Sequence, residues 1–370
     1  MSQFDVAIVG GGILGLAHAW TAVRRGLRVL LLERSAVAQG ASIRNFGMVW
    51  PVGQPDGERL ETALRSREQW LEASRACGFW LAPCGSIHLA HRADELAVLE
   101  EMAQQRPGLR MLTPAEVVER SPGANPLGLL GGLWSPTEAA VDPREAPRKI
   151  AAWLASQPGV EVRFGCAVRD VRSGSLTTAQ GETFHAERIF VCAGADLVTL
   201  FPEALSAAGL RLCKLQMLRT APQPPNWRLG PHLASGLTIR HYDNFAACPS
   251  LAALRERIAR ETPELDRYGI HVMAAHNGLG EVVLGDSHEY GDAITPFDKQ
   301  EIEGLMLREL RRVIRLPHWE IAARWNGVYA KTSSAAALVS AAAPGVQIVT
   351  GTGGAGMTLS FGLAERNLAG

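Results

Sequence analysis

The chain has 370 residues, of which 47% are hydrophobic and 20% charged, and 37 basic residues (Lys plus Arg) balance 37 acidic ones. This composition is typical of a globular protein large enough for two domains, and the balanced charge argues against nucleic-acid or membrane-surface partners. No apolar run reaches membrane-spanning length, no signal segment precedes the first apolar run, and the six cysteines form no CxxC pair. We therefore expect a cytoplasmic protein with buried free thiols and no metal site.

The N-terminal segment has the pattern of a dinucleotide-binding unit. The apolar run Val6 to Val9 predicts a buried parallel strand, residues 16–23 have helical spacing, and residues 28–32 predict a second strand ending at Glu33. Glycines occupy positions 10, 12 and 15, between the first strand and the helix. Strand, glycine-rich turn, helix, strand and acid thus follow in the order that such units require.

Each part of this unit has a physical role. Gly10 permits a tight turn, Gly12 lets the main chain approach a pyrophosphate, and Gly15 lets helix and strand pack closely. The helix N-terminus offers N–H groups and partial positive charge to phosphates. A terminal acid would accept hydrogen bonds from a ribose diol, which favours FAD or NAD over NADP. The predicted contacts are Gly10, Gly12, Ile13, Leu14, Gly15, Glu33 and Arg34.

A polar loop rich in small residues follows the second strand, over residues 40–48. It could fold over the phosphates, with Ser42 and Arg44 as ligands, or it could be a surface turn. Residues 56–77 then predict an amphipathic helix. Asp142 as N-cap and Pro143 at the first helical position predict a further helix over 144–154.

The second half of the chain changes character twice. A buried strand over residues 188–192 leads into Ala193 and Gly194, whose main chain would face the dinucleotide. Antiparallel strands are predicted at 213–220, 270–275 and 281–284, with helices over 250–260 and 298–313. A short strand over 347–350, the glycine-rich turn 351–357 and a final helix over 358–368 end the chain. The N-terminus of that helix would suit the negative charge of a reduced flavin.

These motifs together resemble the D-amino-acid oxidase / glycine oxidase / sarcosine oxidase superfamily of FAD proteins. The resemblance rests on the N-terminal glycines with Glu33, on Cys192-Ala-Gly194, and on the glycine-rich turn 351–357. It implies an α/β (α+β) fold in which a Rossmann-like FAD-binding domain carries a mixed-sheet substrate domain. The implied FAD domain comprises residues 1–80, 140–205 and 325–370, and the substrate domain comprises 81–139 and 206–324.

The resemblance also extends the list of predicted cofactor residues. It implies that Val168 meets the adenine through its main chain, that the loop after the second strand runs along phosphates and flavin, and that the final turn faces the flavin ring. The residues added in this way are Ser42, Arg44, Asn45, Phe46, Gly47, Val168, Ala193, Gly194, Gly327, Gly353, Gly354, Gly356, Met357 and Thr358.

The implied reaction is hydride transfer from a carbon that bears an amine to flavin N5, followed by hydrolysis of the imine. Three departures from the family pattern qualify it. No cysteine precedes Gly327 where monomeric sarcosine oxidases attach FAD, so we expect non-covalent FAD. The segment 282–285 lacks the lysine thought to assist oxygen, which leaves O2 or another electron acceptor open. Other members of the family bind the substrate carboxylate through a lysine in the final glycine-rich loop, and this chain has a threonine, Thr358, at about that position.

The segments 42–48 and 284–290 resemble a bacterial branch associated with aminophosphonate breakdown. This resemblance implies 2-aminoethylphosphonate or its N-methyl derivative as substrate, oxidised to phosphonoacetaldehyde. Small carboxylates such as glycine, sarcosine or D-amino acids, and a non-catalytic FAD-binding subunit, are the alternatives. The oligomeric state stays open. The predicted substrate residues are Arg44, Arg240, His241 and Lys331, and the predicted catalytic residues are Lys331 and His288. His271 is a further candidate near the flavin face, and residues 240–242 are expected at the end of a strand.

Overall fold

A computed structural model describes residues 3–332 and 336–369. The strands are β1 Phe4–Val9, β2 Val29–Glu33, β3 Met48–Val49, β4 Leu81–Pro83, β5 Ser86–Ala90, β6 Arg110–Leu112, β7 Gly131–Ser135, β8 Ala139–Val141, β9 Val160–Phe164, β10 Val168–Arg172, β11 Ser175–Thr178, β12 Thr183–Val191, β13 Arg211–Thr220, β14 His232–Ala234, β15 Met273–His276, β16 Val282–Gly285, β17 Glu289–Gly291, β18 Ile321–Lys331, β19 Leu338–Ala343 and β20 Val346–Thr350. The helices are α1 Ile13–Arg24, α2 Glu58–Cys77, α3 Ala93–Gln105, α4 Pro114–Arg120, α5 Ala146–Ala155, α6 Pro202–Ala207, α7 Leu251–Glu261, α8 Pro263–Arg267, α9 Gln300–Val313 and α10 Gly356–Ala369.

The first sheet carries the dinucleotide-type unit. Its strand order is β10-β11-β12-β1-β2-β9, and β20 joins β12 to the edge strand β19. The central strand β1 pairs in parallel with β2 and β12, and β20 is parallel to β12. Val6 and Ile8 pack toward the helices on one face, while Ala7 and Val9 pack against the other face. Burial on both faces explains the uninterrupted apolar run and confirms the predicted parallel strand.

The second sheet is mixed and contains strands from distant parts of the chain. Its order is β17-β13-β16-β15-β14-β5-β7-β6, with β18 paired to β13. The β14–β5 pair is parallel and the remaining pairs are antiparallel. Strand β18 follows β13 from Ile321 to Lys331. Residues 325–331 therefore belong to this sheet.

Two predicted elements differ from the structure. Helix α5 begins at Ala146, not at Arg144, because Asp142 closes a turn before it: its carboxylate accepts the Arg144 N–H at 2.9 Å, and its carbonyl accepts the Ala146 N–H at 3.0 Å. Residues 236–241 form a 3-10 turn where a strand end at Arg240 is predicted. Among the helices of the described ranges, none has the length and apolar character needed to cross a bilayer.

Candidate FAD site and the adjoining imidazole cluster

The turn after β1 requires glycine for two steric reasons. Gly10 has φ +109°, and a Cβ placed on it would lie 2.3 Å from the carbonyl oxygen of Cys192. A Cβ on Gly15 would lie 1.9 Å from the carbonyl oxygen of Gly10. Strand β12, strand β1 and helix α1 therefore meet through bare main chain. This leaves the N-terminus of α1 accessible along one side of a large cavity.

The predicted acid and hydroxyl hold this turn in place. Glu33 Oε2 accepts the Gly11 N–H at 2.7 Å, and Glu33 Oε1 accepts the Ser35 N–H at 2.8 Å. The Ser42 hydroxyl oxygen accepts the Ile13 N–H at 2.8 Å, so one N–H of the helix N-terminus already has a partner. Both side chains also line the cavity, where the remaining lone pairs of Glu33 can accept hydrogen bonds.

Replacing Glu33 tests its role as a ribose ligand. Glu33→Ala is expected to weaken FAD binding by roughly 1.5–3 kcal/mol, the range for hydrogen bonds to a charged group. Fluorescence titration of the apoprotein with FAD measures this change. Glu33→Gln is the companion variant, because it keeps an acceptor for Gly11 and separates loss of the turn from loss of the charge. FAD affinity unchanged in both variants would show that Glu33 does not bind the ribose.

The polar loop after β2 is attached to the second sheet. The Asn45 side chain donates to the carbonyl oxygens of Ala41 and Ser42 and accepts the Gly47 N–H at 2.7 Å. The exposed Arg44 donates to the carbonyl of Asn326 in β18 at 3.4 Å. Ser42, Arg44, Asn45 and Phe46 line the cavity, so the loop is part of its wall. This favours the ligand-binding interpretation of the loop over a surface turn.

The predicted residues from the middle of the chain line the same cavity. Val168 begins β10 with 7% of its surface exposed, and Ala193 and Gly194 follow β12. The Gly194 carbonyl accepts the Thr350 hydroxyl at 2.7 Å, which ties the end of β12 to β20. Arg34 forms an ion pair with Asp196 at 2.5 Å across the cavity wall, so its charge is already paired.

The C-terminal glycine-rich turn forms the opposite wall. Gly353 has φ +56°, and a Cβ on it would lie 3.4 Å from Lys331 Cγ. A Cβ on Gly354 would lie 3.8 Å from the Tyr329 hydroxyl. The turn therefore packs against the end of β18, and helix α10 begins directly after it, at Gly356. The predicted residues Gly327, Gly353, Gly354, Gly356, Met357 and Thr358 all line the cavity.

Thr358 has a structural bond inside this wall. Its hydroxyl oxygen accepts the Trp50 N–H at 2.9 Å, and the residue is 2% exposed. We expect Thr358→Val to destabilise the fold by about 1–3 kcal/mol, because the buried N–H of Trp50 loses its acceptor. Urea unfolding of the FAD-loaded protein measures this loss. Thr21→Val is a matched control, since the buried Thr21 hydroxyl has no hydrogen-bond partner among the described residues. Equal stability of the two variants would contradict the assigned bond.

The cavity has a volume of about 1460 Å³ and ends at a cluster of imidazoles. The rings of His241 and His271 lie 4.3 Å apart between centroids, and His288 lies 4.9 Å from His271. Ring nitrogens of the three lie within 4.8 Å of one another. Asp286 Oδ1 lies 3.0 Å from His271 Nε2, and the Tyr329 hydroxyl lies 3.3 Å from His288 Nε2. We call these five residues the imidazole cluster.

Burial controls the charge of this cluster. It lowers the pKa of His288 to about 4 and holds the pKa of His241 well below its usual value. It also raises the pKa of Tyr329 well above its usual value, so that this hydroxyl stays protonated. Burial alone would raise the pKa of Asp286, but the neighbouring imidazoles outweigh it and the net pKa lies below the usual value. At neutral pH the cluster thus holds one carboxylate beside neutral His241 and His288.

The structure brings together only part of the predicted substrate site. His241, His288 and Lys331 line the cavity, with Lys331 exposed at the end of β18 and its Nζ 5.7 Å from the Tyr290 ring centroid. Arg240 does not line it. The Arg240 guanidinium is buried and donates to the Asp266 carboxylate at 2.9 Å and to three carbonyl oxygens, those of Leu237, Leu265 and Ile270. This placement does not fit a substrate-binding role, and we leave Arg240 out of the proposed site.

Asp286 and Tyr329 are the cluster members that sequence reasoning did not select. Neither belongs to a short motif: Asp286 follows β16, and Tyr329 alternates with apolar residues along β18. Only the pairing of β13 with β16 and β18 brings them to one end of the cavity. The segment 284–290, noted above for its resemblance to the aminophosphonate branch, contains Asp286 and is the nearest signal in the sequence.

Comparisons with known proteins place this site in a family. The sequence profile described as "DAO: FAD dependent oxidoreductase" matches residues 5–366. The chain belongs to the DAO family. Glycine oxidase of Geobacillus kaustophilus (strain HTA426) is 27% identical over 208 residues, which cover 52% of this chain and 55% of that relative. The chain thus spans about half the length of this curated relative.

Solved structures show that the DAO-family fold extends through the whole chain. The crystal structure of glycine oxidase from Geobacillus kaustophilus matches with a TM-score of 0.75 at 19% identity, covering 100% of this chain and 94% of that chain. Dithionite-reduced L-alpha-glycerophosphate oxidase from Mycoplasma pneumoniae, with FAD bound, matches with a TM-score of 0.75 at 19% identity, covering 99% of this chain and 94% of that chain. At these identities the likeness shows the fold, and it confirms the predicted α/β class.

The residues present fit the FAD that this DAO-family membership implies. The turn at Gly10 and Gly15 leaves main chain bare where a Cβ would collide with carbonyl oxygens. An acid with spare acceptor capacity stands at one end of the cavity, and the N-termini of α1 and α10 open onto it. The cavity also exceeds the roughly 300–1,000 Å³ typical of a single small-molecule site. It therefore has room for a dinucleotide and a small substrate together.

Proposed function

We propose that this protein is an FAD-dependent oxidoreductase that oxidises a C–N bond of a small amine. The observation that carries the proposal is one continuous cavity, which extends from the Gly10 turn and Glu33 to the imidazole cluster and Lys331. Bound FAD would supply an acceptor for the hydride of the C–H bond beside the amine. The substrate loses two electrons and becomes an imine, which water hydrolyses to a carbonyl compound and ammonia, or methylamine where the substrate is N-methylated. The chain's own residues orient the substrate and exclude water.

The acidic end of the substrate needs a cationic partner, and we assign this role to Lys331. Four cationic side chains line the cavity among the described residues: Arg34, Arg44, Arg59 and Lys331. Arg34 and Arg59 are paired with Asp196 and Asp243. Arg44 donates to a main-chain carbonyl. Lys331 has no carboxylate partner in the described ranges, and it stands next to the imidazole cluster. Thr358, where the resemblance places a carboxylate-binding lysine, is occupied by its bond to Trp50.

An aminophosphonate suits this arrangement better than a simple amino acid. A phosphonate carries up to two negative charges and three acceptor oxygens, so it can accept from Lys331, Tyr329 and an imidazole N–H together. We propose 2-aminoethylphosphonate or its N-methyl derivative as substrate, with phosphonoacetaldehyde as product. Glycine, sarcosine and D-amino acids are the competing substrates, since their single carboxylate would use fewer of these donors.

Anaerobic reduction of the bound flavin tests both levels of the proposal. The holoprotein is mixed with primary and N-methyl amines that bear a phosphonate or a carboxylate, and bleaching of the flavin absorbance is followed. Bleaching by 2-aminoethylphosphonate faster than by glycine or sarcosine at equal concentration is expected. Faster bleaching by sarcosine would refute the aminophosphonate substrate, and bleaching by none of the amines would favour a non-catalytic FAD-binding subunit. Reoxidation with O2 and with an artificial dye then identifies the class of acceptor.

We also propose that the FAD is bound without a covalent link. Strand β18 contains no cysteine. Cys166 and Cys192 line the cavity, but burial raises the pKa of Cys192 to about 12 and that of Cys166 above its usual value, so both stay thiols. We expect acid precipitation of the protein to release all of the flavin into the supernatant. Flavin retained in the washed precipitate would contradict a non-covalent cofactor.

A further inference from the structure

His271 and Asp286 face each other as a main-chain pair. The His271 N–H donates to the Asp286 carbonyl at 3.3 Å, and the Asp286 N–H donates to the His271 carbonyl at 2.8 Å. This exchange lies just beyond the β15–β16 ladder and one residue out of its register, in which Met273 pairs with Gly285. Residues paired in this way carry their side chains on one face of the sheet. The side chains are 4% and 6% exposed, and they meet at 3.0 Å between His271 Nε2 and Asp286 Oδ1.

The contact with Asp286 is at ion-pair distance and is not a hydrogen bond. Both ring nitrogens of His271 are buried without a hydrogen bond among the described residues; Nε2 is the nitrogen that lies 3.0 Å from Asp286 Oδ1, and the ring lines the cavity. His288 lies farther from the same carboxylate, at 3.8 Å, and His241 forms no ion pair within the described ranges. His271 is therefore the imidazole on which the carboxylate acts most strongly. A carboxylate at one nitrogen orients an imidazole and stabilises the cation that forms when the other nitrogen accepts a proton.

The His271 ring has one carboxylate in contact with it, and few of the other groups around it would compete with the ring for a proton. The titratable and charged groups that face it are Arg240 and His241 from the turn 236–241, Tyr242 after that turn, Asp286 and His288 after β16, and Tyr329 and Lys331 from β18. Burial raises the pKa of Tyr242 and of Tyr329, so both stay neutral. Arg240 is paired with Asp266, and Lys331 is exposed. Asp286 is the carboxylate in contact with the ring.

In an amine oxidation the substrate nitrogen must give up a proton. An aliphatic amine has a pKa near that of lysine, about 10.4, so at neutral pH it is almost entirely an ammonium ion. Hydride cannot leave the adjacent carbon until the nitrogen lone pair is free to form the C=N bond. The substrate nitrogen must therefore lose one proton before the carbon is oxidised, and a proton acceptor in the cavity would let the enzyme use the abundant ammonium form.

We propose that His271 is the general base that takes this proton at Nδ1, and that Asp286 is its positioning residue. The inference rests on the amine oxidation proposed above. In the step, the substrate N–H bond breaks, its electron pair stays on the substrate nitrogen, and a new N–H bond forms at His271 Nδ1. No electrons are transferred in this step. Asp286 balances the imidazolium charge, and the proton passes to bulk water when product leaves.

The pH dependence of flavin reduction separates this role from a structural one. Single-turnover reduction by 2-aminoethylphosphonate, or by whichever amine bleaches the wild-type flavin, is measured under anaerobic conditions across neutral and alkaline pH. His271→Gln is expected to slow reduction by about 10²–10⁴-fold near pH 7, the usual contribution of a general base. The loss should disappear at pH values above the amine pKa, where the substrate arrives already deprotonated. Asp286→Asn should show the same pH pattern with a smaller loss.

Two comparisons keep the test decisive. His276→Gln, at the end of β15 and outside the cavity, should leave the profile and the FAD content unchanged. A loss in His271→Gln that is equal at every pH, or that affects only the apparent Kd for the amine, would overturn the proposal. So would a divalent metal that copurifies with the wild type and is lost in His271→Gln, because a ligated nitrogen cannot accept a proton. Wild-type flavin that no amine reduces would overturn the proposed function itself, whereas reduction with an unchanged profile in His271→Gln overturns the base alone.

Discussion

Gly15→Ala is expected to abolish stoichiometric FAD binding. The added methyl carbon would stand 1.9 Å from the carbonyl oxygen of Gly10, well inside van der Waals contact. Helix α1 and strand β1 would have to separate, because the clash is with main chain and no side-chain rotation relieves it. Overpacking of this kind costs about 1–3 kcal/mol or more, and the shift would also move the helix N–H groups away from the phosphates.

The ratio of flavin to protein absorbance after purification measures this effect, and titration of the apoprotein gives the change in Kd. Gly304→Ala is the matched control. Gly304 lies on α9 outside the cavity, and an added Cβ would have no atom within 4 Å, so this variant should purify with the wild-type flavin content. Circular dichroism shows whether Gly15→Ala remains folded. A folded Gly15→Ala protein with full flavin content would contradict the close approach of α1 and β1.

The N-terminal unit could be predicted because its determinants are local. The apolar run of β1, the glycines after it and the acid that ends β2 are close neighbours in sequence, and each has its physical role within this short segment. The same reasoning failed for Arg240. Its charge and expected place near the flavin face led to its selection as a substrate ligand, but the residues that satisfy its guanidinium include Asp266 and Ile270. Their proximity depends on how the turn 236–241 packs against α8 and the segment that follows it, which local patterns do not encode.

Local sequence patterns also could not predict which residues meet in the imidazole cluster. His241 and His288 could be proposed as site residues one at a time, from residue type alone. The contact between His271 and Asp286 depends on how the chain pairs just beyond β15 and β16, one residue out of the register of that ladder. Short strands with apolar residues on both faces do not reveal that register in the sequence. The start of helix α5 differs from the predicted one for a local reason, because Asp142 accepts the Arg144 N–H in a turn before the helix begins.

Lys331→Met is expected to raise the KM for an aminophosphonate about tenfold, with a smaller rise for sarcosine or glycine. The side chain is exposed at the cavity wall, so we assign its hydrogen bond to a phosphonate oxygen the lower end of the range for charged groups, about 1.5 kcal/mol, which corresponds to that factor. Methionine keeps most of the stem that packs against Gly353, so the glycine-rich turn should stay in place. A dianion gains more than a monoanion from the lost charge, which makes the change in KM depend on the substrate.

Steady-state kinetics with 2-aminoethylphosphonate and sarcosine, at two ionic strengths, measure this difference. Lys149→Met is the control, because Lys149 lies on α5 and does not line the cavity. Raising the salt concentration should increase the wild-type KM for the phosphonate and affect the Lys331→Met variant less, since screening acts on a charge that the variant lacks. An equal loss of activity with both substrates, without a change in salt dependence, would mean that Lys331 supports the glycine-rich turn through its stem and does not bind the acidic end of the substrate.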